Sequence, residues 1–464
     1  MNDLTAIAAV YSDQSTDIEG VLTEMLHAMR HRGNSVKIAC LNDRLGVGIR
    51  SNDPIGGFFK SPSSASVLDG KFYGKVKRAP TRLARANSMR NIKSIMKTPG
   101  AFAVVLSRMN TLSAVREPTG LRPLYYSRKN GVTVIASERK ALWRVGHIDA
   151  DRVSPGYLYT VKPRKLIRRC LFRLPRPSAQ IMTMDYAATR LKRLLQRSTR
   201  LITADVRRVA VAFSGGLDSA ITALLAKQAN LEVELLSSGL RGSNELQTVG
   251  EYAKALNLPI FIETHEADSL DHFVSRIIWT IEEANLMKVS IAIPLYWTAM
   301  LAARRGHSVM LCGQGSDELY GGYYKYAKIL DHEGKRALAS ALYRGVIESP
   351  QVNYERDEQA TCPSGVELRT PFANLDVIDF SLRIPLEFKV RTGNDLMRKW
   401  VLRAAALKAG LPEEIVWRRK KAIQHGTGVE NAIRKLARKQ GLSTDGYLTN
   451  VSIAISRQEE MPSL

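Results

Sequence analysis

The second half of the chain alternates short apolar segments with segments of helical periodicity, and this alternation restricts the possible folds more than any other feature. The apolar segments lie at 209–212, 233–237, 260–263 and 308–311. Short buried strands that are connected through helices form a parallel sheet with helices on both faces. Ligands of such sheets bind beyond the carboxyl ends of the strands, so we expect a binding site where these segments end.

The first of these strands leads into the sequence Phe-Ser-Gly-Gly-Leu-Asp-Ser at 213–219, which precedes a helical pattern. Two adjacent glycines permit a sharp turn, and the N–H groups of the turn and of the helix start then face an anion. The lysine that ends a Walker loop is missing. We therefore predict that this loop binds the pyrophosphate part of ATP and that Asp218 is an oxygen ligand for Mg²⁺. The alternative is an ordinary glycine-containing connection between strand and helix.

A second glycine-rich polar segment, Cys312–Glu318, follows the apolar strand at 308–311 and continues to Tyr323. Its carboxylates come directly after a strand, at the same predicted edge of the sheet as the first loop. Asp317 is therefore predicted to bind Mg²⁺ together with Asp218. The alternative is that Asp317 or the serine before it only caps the next helix.

The N-terminal part, 1–175, has a different pattern, in which short β-branched and aromatic runs alternate with turn residues. An exception is Ile18–Arg30, where apolar residues recur at helical spacing. This pattern predicts an α+β layered domain. The proline-rich, cationic segment Pro163–Ser178 is the predicted linker to a second domain at 180–464. From Gly365 onward that second domain is expected to be mainly helical.

The composition excludes several classes of protein. No uninterrupted apolar segment reaches the ~18–20 residues that a membrane span needs. The first thirty residues lack the order of a signal peptide, so a cytoplasmic location is expected. The four cysteines are scattered singly without a CxxC pair, which argues against a structural zinc site, a disulfide framework and a thiol-based sulfur carrier.

The net charge of +24 is unusually high. The stretch from Lys71 to Arg116 contains no acidic residue, and further basic clusters lie at 162–169 and 418–421. Such clusters neutralise phosphates in nucleic-acid binding proteins. They lack the regular aromatic residues of a single-strand stacking surface, however. A solvated basic surface and a nucleic-acid binding surface both remain open.

Further motifs follow one another along the chain in a defined order. The N-terminal half contains His31–Gly33, Arg116–Tyr125 and Ala136–Leu142, and the C-terminal half adds Gly365–Phe372, Lys399–Arg403 and Leu411–Lys420 to the two glycine-rich segments. In this order the chain resembles the asparagine synthetase family. The resemblance implies an Ntn-hydrolase-like domain at 1–175 and an ATP-pyrophosphatase domain with a parallel sheet and a helical C-terminal part at 180–464.

The resemblance also implies a reaction. A carboxylate, normally that of aspartate, is adenylated with ATP and Mg²⁺, and ammonia then attacks the acyl-AMP to give asparagine, AMP and pyrophosphate. The residues expected to bind the nucleotide are Ser214, Gly215, Gly216, Leu217, Asp218, Ser219, Gly239 and Gly313.

Three further residues are expected to take part in catalysis: Lys420, Gln314 and Arg403. Lys420 matches the synthetase-site lysine of the family and would neutralise charge on the phosphoryl and acyl oxygens, unless it is only a surface lysine of a basic run. Arg403, like Arg369, either positions the substrate or pairs with acids. Gln314 stands where many members carry glutamate, and an amide forms hydrogen bonds but does not accept a proton.

Two departures from the family pattern concern the N-terminal domain. Glutamine-dependent members begin with a cysteine nucleophile, whereas Thr5 occupies the corresponding place here, after four other residues. The glutamine-binding Asn-Gly-Glu sequence is matched by Asp69-Gly70-Lys71, which puts a cation where a carboxylate would hold the glutamine ammonium. We therefore expect a degenerate glutamine amidotransferase-like domain without glutaminase activity.

The leading hypothesis is an amide ligase that uses free ammonia or ammonia from a separate supplying protein. Aspartate or another carboxylic acid, ammonia or an amine, and a second copy of the chain in a homodimer are the expected partners, and no membrane partner is expected. Three other hypotheses remain: an amide- or lactam-forming synthetase of specialised metabolism, a tRNA-acting ATP-pyrophosphatase, and a non-catalytic regulatory relative.

Overall fold

The computed structural model describes residues 4–52, 57–74, 89–419 and 426–456. The chain divides into two compact units, Met1–Arg173 and Leu174–Leu464. Each unit has its own sheets and its own hydrophobic core.

Within the described residues, the first unit is built on two six-stranded antiparallel sheets. Its elements are β1 (Thr5–Ser12), α1 (Ile18–Ala28), β2 (Ser35–Asn42), β3 (Leu45–Ser51), β4 (Phe58–Ser61), β5 (Ser64–Phe72), α2 (Met89–Met96), β6 (Gly100–Arg108), β7 (Thr111–Arg116), β8 (Tyr125–Lys129), β9 (Val132–Ala136), α3 (Arg139–Arg144), β10 (Asp151–Arg152), β11 (Tyr157–Lys162) and β12 (Lys165–Cys170). The strand orders are β10-β8-β9-β1-β3-β2 and β12-β11-β7-β6-β5-β4.

Strand β1 shows how the layers of this unit are formed. Its residues alternate between two faces, so Ile7 and Ala9 pack into the core between the two sheets while Ala8 packs against α1. The helix α1 begins where the Asp17 side chain accepts a hydrogen bond from the Gly20 N–H at 2.9 Å. Helix α2 contributes Met96 to a cluster with Val115 and Leu158 of the second sheet. The unit therefore contains a helical layer outside each of the two sheets.

The predicted linker Pro163–Ser178 is wrong in its first part. Lys165–Cys170 forms β12, which pairs with β11 from Tyr157↔Cys170 to Lys162↔Lys165 and ends the sheet as an edge strand. Its exposed cations are typical of edge strands, which use charge to avoid pairing with other chains. The linker was predicted from the proline and arginine content, and the strand lacked an apolar signal because most of its side chains are exposed to solvent.

In the described residues, the second unit is built on a five-stranded parallel sheet of order β15-β14-β13-β16-β17. Its elements are α4 (Met184–Ile202), β13 (Arg208–Ala212), α5 (Leu217–Gln228), β14 (Glu232–Leu240), α6 (Asn244–Leu256), β15 (Ile260–His265), α7 (Leu270–Ile281), α8 (Leu286–Arg304), β16 (Val309–Leu311), α9 (Ser316–Tyr320), α10 (Tyr324–Ser349), α11 (Glu355–Thr361), β17 (Glu367–Arg369), α12 (Leu375–Arg383), α13 (Trp400–Ala409), α14 (Glu413–Val416), α15 (Val429–Lys439) and α16 (Thr444–Ser456).

The mixed α/β architecture with a parallel sheet agrees with the alternation of the sequence. Ala210 of β13 packs with Ala299 of α8, while Val209 and Val211 point to the other face of the sheet and are also buried. Both faces of the sheet are therefore covered. The region after Gly365 is mainly helical as predicted, except that β17 adds a fifth strand beside β16.

Helix α8 begins earlier than the predicted start at Pro294. It starts at Leu286 because the Asn285 side chain accepts a hydrogen bond from the Lys288 N–H at 3.1 Å and caps the helix. By length and composition α8 is apolar enough to cross a membrane. More than half of that apolar stretch is buried, however, and it contributes to two hydrophobic clusters of this unit. We therefore interpret α8 as a core helix.

Candidate active site

The first glycine-rich loop connects the end of β13 to the start of α5. Gly215 has a φ of +65°, in the left-handed region. A Cβ atom at this position would lie 2.7 Å from Nη1 of Arg418 and 2.8 Å from the ring of Tyr252. Glycine is therefore required here both by the backbone conformation and by the close approach of these two side chains.

The hydroxyl groups of the loop keep its turn closed. Ser219 Oγ lies 3.3 Å from both the amide nitrogen and the hydroxyl of Ser214, and it donates to the Gly216 carbonyl at 3.1 Å. Gly216 is also the N-cap position of α5, so the first N–H groups of this helix face the space beyond the strand. The loop thus has the form of an anion-binding turn.

The second glycine-rich segment lies directly beside the first. A Cβ atom on Gly313, just after β16, would lie 2.6 Å from Cβ of Asp218. A Cβ atom on Gly322 would lie 1.8 Å from Oδ1 of Asp317 and 2.2 Å from Cε of Lys399. The two glycines permit the two segments and Lys399 to come together without steric conflict.

Lys399 joins the two carboxylates that the sequence suggested for a metal site. Its Nζ lies 2.6 Å from both carboxylate oxygens of Asp218 and 2.6 Å from Oδ1 of Asp317. It also donates to Ser316 Oγ at 2.9 Å. The side chain of Lys399 is only 3% exposed. Burial opposes its charge, but the two carboxylates outweigh burial and raise the pKa of Lys399.

Sequence reasoning did not assign a role to Lys399, although it belongs to the motif Lys399–Arg403. The residue adopts a left-handed conformation with a φ of 55° and stands at the N-cap of α13. This uncommon conformation for a lysine is not predictable from its neighbours along the chain. Lys399 lies nearly two hundred residues after Asp218, so no local sequence pattern predicts that the two side chains are in contact.

The donor set fits a divalent cation. Asp218 and Asp317 present oxygen atoms, which Mg²⁺ prefers, and both lie around the single nitrogen of Lys399. The ammonium of Lys399 therefore lies between the two carboxylates, at a position where their negative charge favours a cation. When bound, Mg²⁺ would supply charge neutralisation for a pyrophosphate leaving group.

Two buried polar pairs lie near the second segment. Glu318 accepts hydrogen bonds at Oε1 from the Tyr323 hydroxyl at 2.6 Å and from Asn353 Nδ2 at 2.8 Å. Burial and the charge of Glu318 both raise the pKa of Tyr323. The phenol is therefore a fixed hydrogen-bond donor.

The second pair is Gln314 with Asp357. Gln314 Nε2 donates to Asp357 Oδ2 at 2.7 Å, and Arg356 Nε donates to Asp357 Oδ1 at 2.7 Å. Burial raises the pKa of Asp357, although Arg356 and Gln314 act in the opposite direction. Burial likewise raises the pKa of the neighbouring Cys312 thiol to about 12, so this cysteine is not a nucleophile.

The two arginines considered for substrate binding make different contacts. Arg369 pairs with Asp205 at 2.6 Å and with Glu367 at 2.6 Å, which agrees with the alternative that it pairs with acids. Arg403 lines the cavity, but its guanidinium donates to backbone carbonyls, those of Arg398 and Met397 among them. Burial lowers the pKa of Arg403 to about 10. These contacts favour a positioning role for Arg403.

Several of these groups line a cavity of about 480 Å³. The polar residues that line it include Ser214, Asp218, Ser219, Ser237, Ser238, Gln314, Asp317, Tyr323, Asn353, Arg356, Lys399, Arg403, Arg418 and Thr427. Gly216, Leu217 and Gly313 also belong to the lining. The cavity therefore lies beyond the carboxyl ends of the strands, as the alternation of the sequence predicts.

Gly239 lies within β14, and the lining of the cavity is formed there by Ser237 and Ser238 instead. Lys420 lies outside the described residues. Its neighbour Arg418 donates to the Gly215 carbonyl at 2.8 Å and stacks on the ring of Tyr252 at 4.6 Å.

In the first unit, Thr5 is part of a buried hydrogen-bond network. Its hydroxyl donates to Asp69 Oδ1 at 2.7 Å and accepts from the Gly70 N–H at 2.9 Å. Ser137 Oγ donates to the other Asp69 oxygen at 2.7 Å, and Asp69 is fully buried. The threonine hydroxyl therefore satisfies a buried carboxylate.

Two motifs of the N-terminal half meet at another buried carboxylate. Glu138 accepts from His31 Nε2 at 2.9 Å, from Arg32 Nε at 2.5 Å and from Lys140 Nζ at 2.7 Å. Burial alone would raise the pKa of Glu138, but His31, Lys140 and Arg32 outweigh burial and hold the pKa well below its usual value. Burial also lowers the pKa of His31. The segments His31–Gly33 and Ala136–Leu142 are thus held together by charge.

Two of the solved structures that match this chain are only weakly similar to it. A glutamine phosphoribosylpyrophosphate amidotransferase from Bacillus subtilis matches 51% of this chain and 67% of its own at 15% identity, with a TM-score of 0.31. An NMN synthetase from Francisella tularensis matches 61% of this chain and 99% of its own at 12% identity, with a TM-score of 0.29. Neither likeness supports a conclusion about this chain.

Curated relatives are much more similar. A putative glutamine-hydrolysing asparagine synthetase from Methanocaldococcus jannaschii is 31% identical over 74% of this chain and 71% of its own length. Asparagine synthetase 2 of Arabidopsis thaliana and asparagine synthetase B of Escherichia coli are 28% and 27% identical over 71% and 73% of this chain. The chain spans only 59% and 63% of the lengths of these last two relatives.

Family models agree with this similarity. The model described as asparagine synthase matches residues 190–347 and 330–453, and the model described as a glutamine amidotransferase domain matches residues 82–144. The first of these matches covers more than half of the chain. The chain therefore belongs to the asparagine synthetase family of ligases, as the order of its motifs predicted.

Proposed function

We propose that this protein is an ATP-dependent amide ligase that adenylates a carboxylate, that of aspartate first among the candidates, and transfers ammonia to it. In the first step a carboxylate oxygen forms a bond to the α-phosphorus of ATP, and the bond to pyrophosphate breaks. In the second step ammonia forms the C–N bond, the C–O bond to AMP breaks, and one proton is released. The products are asparagine, AMP and pyrophosphate.

The observation that carries this proposal is the joint position of the Ser214–Ser219 loop, Asp317 and Lys399 in one cavity. The loop offers N–H and O–H donors to a pyrophosphate. Asp218 and Asp317 offer oxygen ligands for the Mg²⁺ that accompanies ATP. Lys399 and Arg418 add positive charge beside the leaving group, where charge develops during adenylation.

The finer assignments follow from this proposal. The second unit corresponds to the predicted synthetase domain at 180–464. Within it Lys420, which belongs to the basic cluster at 418–421, is proposed to neutralise charge on the phosphoryl and acyl oxygens. Arg403 is proposed to hold the backbone around Lys399 through its contacts with carbonyl groups rather than to touch the substrate.

We propose that the first unit is a degenerate Ntn-hydrolase-like glutaminase domain, corresponding to the predicted domain at 1–175. Two observations support this. The hydroxyl of Thr5 is held by Asp69 and the Gly70 N–H in a buried network, which gives it a structural role. Lys71 puts a cation beside the position expected to hold the glutamine ammonium. Free ammonia, or ammonia from a separate protein, is therefore the proposed nitrogen source, and the proposed location is the cytoplasm.

The test is ATP–pyrophosphate exchange measured with a panel of carboxylic acids in the presence of Mg²⁺. Aspartate is expected to support exchange, and added ammonium is expected to convert the adenylate to asparagine and AMP. Replacing ammonium with glutamine is expected to give no asparagine and no glutamate. Exchange with another acid but not with aspartate would support the ligase chemistry but contradict aspartate as the substrate.

Two variants make this test specific to the site. Asp218→Asn removes a predicted metal ligand and is expected to lower exchange by about 100-fold or more, the scale of losing one strong electrostatic contact in a catalytic site. Asp268→Asn changes the same functional group at an exposed position and is expected to leave exchange unchanged. Equal activity of the two variants would contradict the assignment of the site.

A further inference from the structure

The amide of Gln314 is held in one orientation by a buried carboxylate. Gln314 is half-buried on the wall of the cavity, and its Nε2 lies 2.7 Å from Asp357 Oδ2. The other oxygen of Asp357 lies 2.7 Å from both Nε and Nη2 of Arg356. Asp357 itself is only 1% exposed. Its two oxygens therefore have separate partners, one of which is Gln314.

This arrangement decides which end of the amide faces Asp357. A carboxylate accepts hydrogen bonds and does not donate them, so the NH₂ group of Gln314 must point toward it. The backbone next to the side chain is also fixed, because Thr370 Oγ1 donates to the Gln314 carbonyl at 2.7 Å. The side-chain oxygen Oε1 is consequently the end of the amide that is left for a ligand in the cavity.

We propose that Asp357 is a positioning residue that keeps Gln314 Oε1 available to a nitrogen nucleophile, and that the site accepts this nucleophile in its uncharged form, as ammonia or an unprotonated primary amine. This inference rests on the proposed function. An amide oxygen accepts a hydrogen bond from an N–H group but neither removes a proton nor neutralises an ammonium ion.

The step that this arrangement serves is the attack on the acyl-AMP. The nitrogen lone pair forms the C–N bond, and the C–O bond to AMP breaks with its electron pair remaining on the phosphate oxygen. The surplus proton passes to water. Because Gln314 only orients the nitrogen, the rate should depend on the concentration of the free base and not on that of the ammonium ion.

The direction of the hydrogen bond between positions 314 and 357 can be reversed by exchanging the amide and the carboxylate. In Gln314→Glu two carboxylates face each other, which is unfavourable in a buried site. In the double variant Gln314→Glu/Asp357→Asn, the new Asn amide donates to the new carboxylate, and the number of charges in the cluster is unchanged. Asp357→Asn alone frees the amide of Gln314 to turn, because asparagine both donates and accepts.

The experiment measures amide formation as a function of ammonium concentration and pH, with ATP–pyrophosphate exchange measured on the same preparations. In the wild type, the KM calculated for free ammonia should be constant between about pH 7 and 9, while the KM for total ammonium falls as pH rises. Asp357→Asn should raise the KM for ammonia about tenfold, the effect of losing one hydrogen bond. Its exchange rate and its KM for ATP should stay close to those of the wild type.

Removing Asp357 also weakens the hold on buried Arg356, so the single variant is at risk of not folding. The double variant returns one carboxylate to this cluster, and its ATP binding shows whether the protein is folded. It should bind ATP and restore amide formation relative to Gln314→Glu, with a pH profile that has gained the ionisation of a carboxylate. The matched control is Asp379→Asn, which removes the carboxylate of an exposed pair with Arg383 and should change no parameter.

Several outcomes would overturn the inference. One such outcome is an unchanged KM for ammonia in Asp357→Asn and Gln314→Glu. Another is an equal loss of exchange and of amide formation in Asp357→Asn, which would mean that Asp357 has a merely structural role. A rate that follows the ammonium ion would contradict the uncharged nucleophile. The absence of exchange with every acid in the wild type would instead overturn the proposed function, and the inference with it.

Discussion

The ammonium nitrogen of Lys399 lies 2.6 Å from both carboxylate oxygens of Asp218. The same nitrogen lies 2.6 Å from Asp317. One buried cation thus pairs with two acids at the place where two strands of the parallel sheet end. This pairing has consequences for stability and for metal binding, because each charge of the cluster depends on the others.

Lys399→Met should destabilise the second unit by about 3 kcal/mol, since it leaves two carboxylates without their shared cation. Added Mg²⁺ should raise the melting temperature of this variant more than that of the wild type, because a divalent cation can replace the lost charge. Thermal unfolding with and without MgCl₂ measures both effects. Lys408→Met, which breaks an exposed pair with Asp185, is the control and should behave like the wild type. An equal Mg²⁺ effect in all three proteins would contradict the prediction.

Gly322→Ala should lower ATP–pyrophosphate exchange at least tenfold. The added Cβ would lie 1.8 Å from Asp317 Oδ1 and 2.2 Å from Lys399 Cε, so both side chains would have to move. Gly250→Ala is the matched control, because Gly250 lies inside α6 and no atom comes within 4 Å of its added Cβ. That control should keep full activity and gain up to about 1 kcal/mol of stability from higher helix propensity. Similar activity in both variants would refute the role of Gly322.

Lys389 should make stability depend on pH. The residue is only 3% exposed, its ammonium donates to the Ser381 carbonyl at 2.7 Å, and burial lowers its pKa to about 7. Between pH 7 and about 10 the unfolded chain therefore binds a proton that the folded chain does not, so stability rises with pH by up to about 1.4 kcal/mol per unit. Below pH 7 both states hold the proton and this dependence ends.

Lys389→Met should remove this rise. Denaturation at pH 7.5 and pH 9.5 can be followed by tryptophan fluorescence, which mainly reports the second unit because four of the five tryptophans lie there. The stability difference between the two pH values should be smaller in the variant than in the wild type. The same difference in both proteins would mean that Lys389 is protonated in the folded state.

Thr5→Ala should destabilise the first unit by about 1–3 kcal/mol, because buried Asp69 loses a hydrogen-bond donor. Ammonia-dependent amide formation should be unaffected, and glutamate release from glutamine should be absent before and after the change. Thr23→Ala is the control, since the Thr23 hydroxyl donates to the Glu19 carbonyl on the exposed side of α1. Glutamate release that requires Thr5 would show that the first unit is still a glutaminase.

Much of the second unit follows from local sequence patterns. The apolar segments and the helical periodicity predict a parallel sheet, and the two glycine-rich segments predict turns at its edge. The roles of Ser214–Ser219, Asp317, Gln314 and Lys420 remain predictions. Local patterns failed at β12 and β17. Both are short strands without a clear apolar run. In addition, β17 pairs with β16, which is distant in sequence.

The sequence by itself determined the family of this protein, the alternation that forms its parallel sheet, and the glycines that permit two close turns. Those properties depend on residue types and on spacing within short segments. Only the tertiary structure decided that Lys399 joins Asp218 to Asp317, that Gln314 donates to Asp357, and that the Thr5 hydroxyl donates to a buried carboxylate. Each of these contacts connects residues tens to almost two hundred positions apart. Their energy comes from burial and from the closeness of the charges, and both arise only when the chain folds.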